Sequence, residues 1–424
     1  MSVKLVIDDV PMSNFASTIV RNKYAKETSR GNKEDWYGIA DRVTESVVKP
    51  YAPKYVEPIR QAIRSRKLMP AGRYLYASGL PYHQVNNCFL FKVEEDSREG
   101  WSKLLSNVAN SLMTGGGVGV VYTPVRGKDE HIRGMGGKST GPVSLMQMNN
   151  ECGRHIIQGG SRRSALWAGL HWWHPDCEYF ITIKDWPEWL KERKKIDFNT
   201  PAPMDGTNIS VILDSDFFNA INDPTWIKTY KLGNTSFTLT HKDAQKRYWL
   251  SVEHMLRTGE PGFSVDIGIN EGENLRNACT EVTSSTNGDM CNLLSLNMAR
   301  IYTKEEFNTL TELGIIFLLC GTLYSKLPLP EMYKVRETTR RLGLGLMGVH
   351  EWLLRRERRY GPDDELGEWL DLYSKSGDFA NIYADKLGIS RPVATRSIAP
   401  TGTISIAAET TGGIEPIFAA AYLR

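Results

Sequence analysis

Asn277-Ala278-Cys279-Thr280-Glu281, followed by Met290-Cys291-Asn292-Leu293, sets a thiol between an amide and a carboxylate at alternate positions. Run extended, with a side-chain period of two, the first stretch points Asn277, Cys279 and Glu281 to one side. A hydrogen-bond donor, a sulfur and a base then share one small site in a polar loop rich in Thr, Ser, Asn and Gly. Upstream, Asn86-Asn87-Cys88 opens the apolar run Phe89-Leu90-Phe91-Lys92-Val93, which predicts a strand with Cys88 at its end, where side chains can face a cleft. Near the end of the chain, Pro400-Thr401-Gly402-Thr403-Ile404-Ser405 offers hydroxyls and backbone amides in a strand-to-loop turn, a good seat for phosphate. Thiols, one carboxylate, one amide and a phosphate-type loop suit thiol redox chemistry with acid–base assistance on a phosphorylated substrate. A structural role stands beside each assignment. Cys88 and Cys291 can be core thiols, the commoner fate of a lone cysteine, and Glu281 can cap or pair.

The 424-residue chain is 41% hydrophobic and 24% charged, a composition of soluble globular proteins with ample length for a large core. Its formal net charge of +3 gives no case for direct nucleic-acid binding. The basic runs Lys191 to Lys195 and Arg355 to Arg359 are mixed with acids, as solvated helix faces are. The 6 cysteines include no CxxC pair and no zinc-site spacing, so neither a disulfide scaffold nor a metal is expected. The N-terminus has no basic-then-apolar signal segment, and the most apolar run, Leu313 to Leu323, is too short to span a bilayer. A reducing, cytoplasmic setting without membrane contact is the expectation.

These groups need elements to position them. Residues 1–65 read as helical, with Trp36, Ile39, Val43 and Val47 in spaced positions and Pro50, Pro53 and Pro58 punctuating the end. Asp96-Ser97 caps the next helix, whose buried stripe is Leu104, Val108 and Leu112. Gly115-Gly116-Gly117-Val118-Gly119 reads as a tight turn into a strand. It lacks both GxGxxG and GxxxxGK[ST], so close backbone packing is the better account of its glycines. Two glycine-rich loops, Arg126 to Gly141 with Arg133 and Lys138, and Gln158 to Ser164 with Arg162 and Arg163, suit contact with an anion or nucleotide. His171-Trp172-Trp173-His174 fits no metal spacing and reads as packing. Asn208 to Leu213 is a strand candidate, and Arg340 to Gly348 leads into a helix through Trp352.

Together the N-x-C-x-E run, Cys291-Asn292-Leu293, Asn86-Asn87-Cys88, the Gly115 to Gly119 turn and Pro400-Thr401-Gly402-Thr403 resemble the catalytic subunit of ribonucleotide reductase, from about Ile19 to Arg424. Any one motif is weak; the set in one chain is specific. Within that family the chain is similar to the class II enzymes at Arg21 to Ala25, Met69 to Arg73, Ser161 to Ala165 and Pro400 to Ile404. The resemblance implies an α/β fold: a ten-stranded barrel over residues 66–424, incomplete at its C-terminal end, after the small helical region 1–65.

It also implies roles. Cys279 would become a thiyl radical, generated by adenosylcobalamin, and take the 3′ hydrogen of a ribonucleotide. Glu281 would act as base on the 3′ hydroxyl and Asn277 would hold the sugar. Cys88 and Cys291 would supply reducing equivalents and end as a disulfide, to be restored by a thioredoxin-type or glutaredoxin-type reductant. Asn87 and the loop Pro400, Thr401, Gly402, Thr403, Ile404 and Ser405 would bind substrate. A deoxynucleoside triphosphate effector would meet Asp96, Ser97, Arg126, Arg133, Lys138, Gln158, Arg162 and Arg163 beside a homodimer contact. The family's last strands and its paired-cysteine tail are absent from this sequence, so a second chain supplying them is expected. The alternatives are a class I large subunit, an inactive nucleotide-binding fragment and, less fittingly, a glycyl-radical enzyme.

Overall fold

The computed structural model describes residues 11–29, 31–134, 136–158 and 162–419. Its strands in chain order are β1 (Leu68–Pro70), β2 (Cys88–Lys92), β3 (Gly117–Val121), β4 (Ile157–Gln158), β5 (Arg162–Arg163), β6 (Leu166–His171) and β7 (Thr207–Asp214). They continue with β8 (Ile227–Leu232), β9 (Thr235–Thr240), β10 (Gly262–Asp266), β11 (Leu275–Arg276), β12 (Thr283–Ser284), β13 (Asp289–Asn297) and β14 (Leu342–Met347). The α/β chain divides into two compact units, Cys88–Asp289 and the two flanking segments together.

The Cys88–Asp289 unit is built on a parallel sheet in the order β2-β3-β6-β7-β10. Every residue of β3 and β6 is buried, the pattern of parallel strands covered on both faces. Helical crossovers such as Arg98–Met113 and Pro142–Arg154 join the strands. Ser97 caps the first of these by accepting the Gly100 amide at 3.0 Å, and Leu104, Val108 and Leu112 are its buried stripe, as the spacing predicts. The short antiparallel hairpin β11–β12 lays β11 across β2, β3 and β6. Glycine makes that crossing possible. A Cβ on Gly119 would stand 1.8 Å from the Arg276 carbonyl oxygen, and one on Gly117 would stand 3.0 Å from Ala278 Cβ and 3.3 Å from Cys88 Sγ. The His171-to-His174 segment packs. The Trp172 and Trp173 indoles donate to the two carboxylate oxygens of Asp214, at 2.8 and 3.1 Å, and His174 Nε2 meets the Val125 carbonyl at 2.8 Å. Among the described residues no group of three His, Cys, Asp or Glu side chains could hold a metal.

The flanking unit begins with helices Asn14–Lys23, Trp36–Val47 and Val56–Arg64, the first two capped by Ser13 and Asp35. Its sheet sets β1 antiparallel to β13 and β13 parallel to β14. The helix Lys304–Tyr324 has the length and apolar composition to cross a bilayer, but most of it is buried in this unit's core with Ile39, Val43, Ile63, Leu294, Leu344 and Trp369. That explains the Leu313-to-Leu323 run as a core helix. At its start Glu306 meets buried Lys67 at 2.5 Å. The Leu342-Gly-Leu-Gly-Leu-Met run, read from sequence only as a lead into a helix, is the buried strand β14. Gly345 lets a neighbouring segment close on it, since a Cβ there would stand 2.7 Å from the Ser397 carbonyl oxygen. Leu344 accordingly exchanges backbone bonds with Thr395 and Ser397, both at 3.0 Å.

Candidate active site

The six residues 277–282 link β11 to β12, and they are not extended. The Thr280 amide bonds back to the Asn277 carbonyl at 3.0 Å, closing a turn, and Thr280 sits in the left-handed region at φ 67°. A β-branched residue there costs on the order of 1–3 kcal/mol, so the surroundings must hold it. Alternation therefore fails at this point. Asn277 and Ala278 are buried, Cys279 and Thr280 lie exposed at the tip, and Glu281 is half-buried. The expectation that Asn277, Cys279 and Glu281 project together from an extended strand is corrected to a tight turn that lifts the thiol to its apex.

Asn277 organises the turn from below. Its side-chain oxygen accepts the Val282 amide at 3.0 Å, while its amide nitrogen donates to Glu281 Oε2 at 2.7 Å and to Cys88 Sγ at 3.3 Å. Amide, carboxylate and second thiol thus form one bonded set at the foot of the Cys279 turn. Burial pushes the Glu281 carboxyl above its ordinary range, and the Asn277 hydrogen bond opposes that. The result is a carboxylate of raised basicity. Cys88 is the first residue of β2, at the strand end the sequence suggests, and it is buried. The thiols outside this set differ in kind. Burial pushes Cys177 and Cys320 up to about 12, and Cys152 is raised by the same cause, which suits packing rather than chemistry.

Cys291 and the phosphate-type loop belong to the flanking unit. Cys291 is buried on β13, and its carbonyl accepts the amide of Asn87 at 2.9 Å. The loop at Pro400 leads into the short helix Ile404–Ala408 rather than into open loop. Thr401 is buried in the left-handed region at φ 54°, and its hydroxyl accepts the Gly413 amide at 2.8 Å. Its oxygen therefore serves the loop's own closure, while Gly402 is exposed and Thr403 half-buried. Ser405 is buried beneath them.

Of the residues expected to meet an effector, Asp96 and Arg126 meet each other. Arg126 Nε donates to Asp96 Oδ2 at 2.5 Å, its amide donates to the same oxygen at 3.0 Å, and Trp101 donates to Oδ1 at 3.0 Å. Arg133 and Lys138 lie exposed on the following loop, where Lys138 stands 3.7 Å from Asp129. Gln158 pairs with Arg162, and Ile157 with Arg163, across β4–β5, and their side chains lie outside the described set, as do residues 159–161. Sequence reasoning missed the supports of the turn: Arg276, and Asn208, whose amide donates to the Ala278 carbonyl at 3.3 Å. Only Gly119, inside the glycine-rich motif, carried a signal.

Comparison with known proteins follows this geometry. The family model described as "Ribonucleotide reductase, barrel domain" matches residues 86–367. A vitamin B12-dependent ribonucleoside-diphosphate reductase of Thermoplasma acidophilum is 29% identical over 405 residues, covering 88% of this chain and 51% of the relative. A protein of the same name from Mycobacterium tuberculosis strain H37Rv is 26% identical over 458 residues, covering 99% and 63%. A putative adenosylcobalamin-dependent ribonucleoside-triphosphate reductase of Mycobacterium phage D29 is 28% identical over 386 residues, covering 78% and 52%. The chain thus spans between about half and two thirds of the length of these relatives.

Proposed function

The chain belongs to the ribonucleotide reductase barrel-domain family, and we propose that it carries the radical site that reduces a ribonucleotide to its 2′-deoxy form. The observation that carries this reading is the bonded set Asn277–Glu281–Cys88 at the foot of a turn whose apex is Cys279. A thiyl radical on Cys279 takes the 3′ hydrogen, leaving a carbon radical on the sugar. Glu281, its basicity raised by burial, accepts the 3′-hydroxyl proton. Loss of the 2′ hydroxyl as water consumes one proton, and Cys88 and Cys291 together supply two electrons and two protons as they become a disulfide. Cys279 then returns its hydrogen to the 3′ carbon, so the net change is ribonucleotide plus two thiols to deoxyribonucleotide, disulfide and water. Asn277 holds the Glu281 carboxylate and one sugar hydroxyl.

Adenosylcobalamin, when bound, would supply the carbon-centred radical that starts this chemistry at Cys279. The exposed apex position of Cys279 fits a bulky group arriving from solvent. Asn87 and Pro400 to Ser405 seat the substrate. An effector deoxynucleoside triphosphate at Asp96, Ser97, Arg126, Arg133 and Lys138 must compete with the Asp96–Arg126 pair, in a dimer reduced by a thioredoxin-type or glutaredoxin-type protein.

The test uses the protein as isolated from its source, with any chain that accompanies it. Deoxynucleotide formation from ribonucleoside di- and triphosphates is measured with and without adenosylcobalamin. Cys279→Ala should fall below about a thousandth of the parent rate, whereas Cys152→Ser should retain it. Turnover surviving Cys279→Ala would remove the radical site from this turn, and turnover indifferent to cobalamin would favour the separate radical source of a class I enzyme.

A further inference from the structure

Arg276 is the residue before Asn277, and its guanidinium is buried under the hairpin. It donates to the Leu275 carbonyl at 3.1 Å, to the Glu273 carbonyl, and through Nη2 to the Val265 carbonyl at 2.8 Å. Val265 lies on β10, the strand that ends the β2-β3-β6-β7-β10 order. The next residue, Asp266, is buried and attracts the same cation, while its Oδ1 accepts the Gly272 amide at 2.8 Å, drawing in the segment that leads to β11. A second tie closes the hairpin itself, because Thr283 donates to Glu273 Oε2 at 2.6 Å. The Arg276 carbonyl, meanwhile, fills the space above Gly119. One residue is therefore fixed at both ends, its backbone against β3 and its side chain against β10.

Burying a guanidinium is costly, and three backbone carbonyls with a neighbouring carboxylate offset that cost only if all remain in place. The planar fork reaches several carbonyls at once, which a lysine ammonium on its flexible stem does not reproduce. Two β-pairs cannot hold a loop of six residues that includes a left-handed threonine. The guanidinium supplies what the ladder lacks.

We propose that Arg276 is a positioning residue that ties the Cys279 turn to β10, setting the thiol's place without touching substrate. This rests on the reading of Cys279 as the reacting thiol. It makes the β10 edge a determinant of turnover, acting through the hairpin.

The experiment compares Arg276→Met and Arg276→Lys with the parent protein by amide hydrogen exchange and by steady-state kinetics. In Arg276→Met the Thr280 and Val282 amides should exchange at least about tenfold faster, while Val118 and Val120 in β3 keep parent rates. Arg276→Lys should fall between. Turnover of Arg276→Met should drop about tenfold in kcat with substrate KM within about twofold. Unchanged exchange at Thr280 and Val282, or equal acceleration in β3, would overturn the proposal, as would a rise in KM with kcat intact. Should Arg276→Met fail to fold, Arg276→Lys decides by the same criteria. Exchange is read without turnover, so a released turn in a protein that reduces no nucleotide would leave Arg276 its role and remove the reductase reading instead.

Discussion

The hairpin β8–β9 keeps register from Ile227↔Thr240 to Leu232↔Thr235 around the two residues Gly233-Asn234. The hairpin β11–β12, in the same unit, pairs only Leu275↔Ser284 and Arg276↔Thr283 around residues 277–282. The first has a full ladder of its own, with a left-handed glycine at φ 57°, a Thr229–Thr238 hydroxyl contact at 2.9 Å and Tyr230 stacked on Phe237 at 6.0 Å, to which Trp173 under Tyr230 at 5.0 Å and Glu130 on the Asn234 amide at 3.2 Å only add. The second is held by its surroundings: Gly119 beneath it, Asn208 and Arg276 fastening it, and Cys88 reached by Asn277. A hairpin that stabilises itself can stand exposed and carry any side chain. One held from outside can keep a strained turn and a partly buried carboxylate in place, which is what reactive groups require.

The sharpest way to break this comparison is to put one methyl on β3 beneath the β11–β12 hairpin and the same methyl into the β8–β9 turn. Gly119→Ala would bring a carbon to 1.8 Å of the Arg276 oxygen and 2.8 Å of its carbonyl carbon, and backbone cannot swing aside as a side chain does. A loss of about 3 kcal/mol is expected from overpacking, with turnover abolished. Gly233→Ala meets mainly the flexible end of Glu130 and forfeits the glycine's ease in the left-handed region, a loss of about 1 kcal/mol with turnover retained. Urea unfolding midpoints check both. Equal losses would mean that β11–β12 is as self-sufficient as β8–β9.

The same division explains what could be read from the sequence. Local rules placed Cys88 at a strand start and Ser97 as a helix cap, because each depends on neighbours in the chain, and marked the glycines of 115–119 as packing positions without naming the distant Arg276 and Ala278 that pack on them. The course of residues 277–281 could not be read that way. Alternation assumes a strand, whereas the bond from Val282 to the Asn277 side chain and the left-handed Thr280 arise from contacts that period-two reasoning does not contain. Strand β14 was hidden for a related reason: buried on both faces, Leu342 to Met347 has no polar alternation to reveal it. The Thr401 hydroxyl, read as a phosphate ligand, is turned to Gly413, twelve residues on.

A smaller effect sharpens the electrostatic side of the comparison. The Glu281 carboxyl is raised by burial, so the folded protein binds its proton more tightly than the unfolded chain does. The stability this contributes is present below the ordinary value of 4.5 and is lost as pH rises through the folded value. Glu281→Gln removes the charge that burial penalises. The variant should therefore be more stable than the parent at neutral pH, the two should converge below pH 4.5, and turnover should vanish with the base. Unfolding midpoints across pH check the first part. A variant less stable than the parent at neutral pH would mean that hydrogen bonds to the ionised carboxylate outweigh its burial.

The smallest expected change concerns the strained residue itself. Thr280 is exposed, so its substitution disturbs no packing, yet it holds φ at 67° beside the reacting thiol. Thr280→Gly relieves that conformation and should raise stability by about 1 kcal/mol, a gain partly cancelled by the greater freedom of glycine in the unfolded chain. If the strain were incidental, turnover would rise or stay level with stability. If instead the surroundings hold Thr280 in place so that Cys279 keeps one position, glycine loosens the apex as it relaxes it, and kcat should fall about threefold while the protein melts higher. Opposite movement of stability and kcat is the signature of a turn shaped by its surroundings for chemistry. The β8–β9 hairpin, altered at Gly233, should move stability alone.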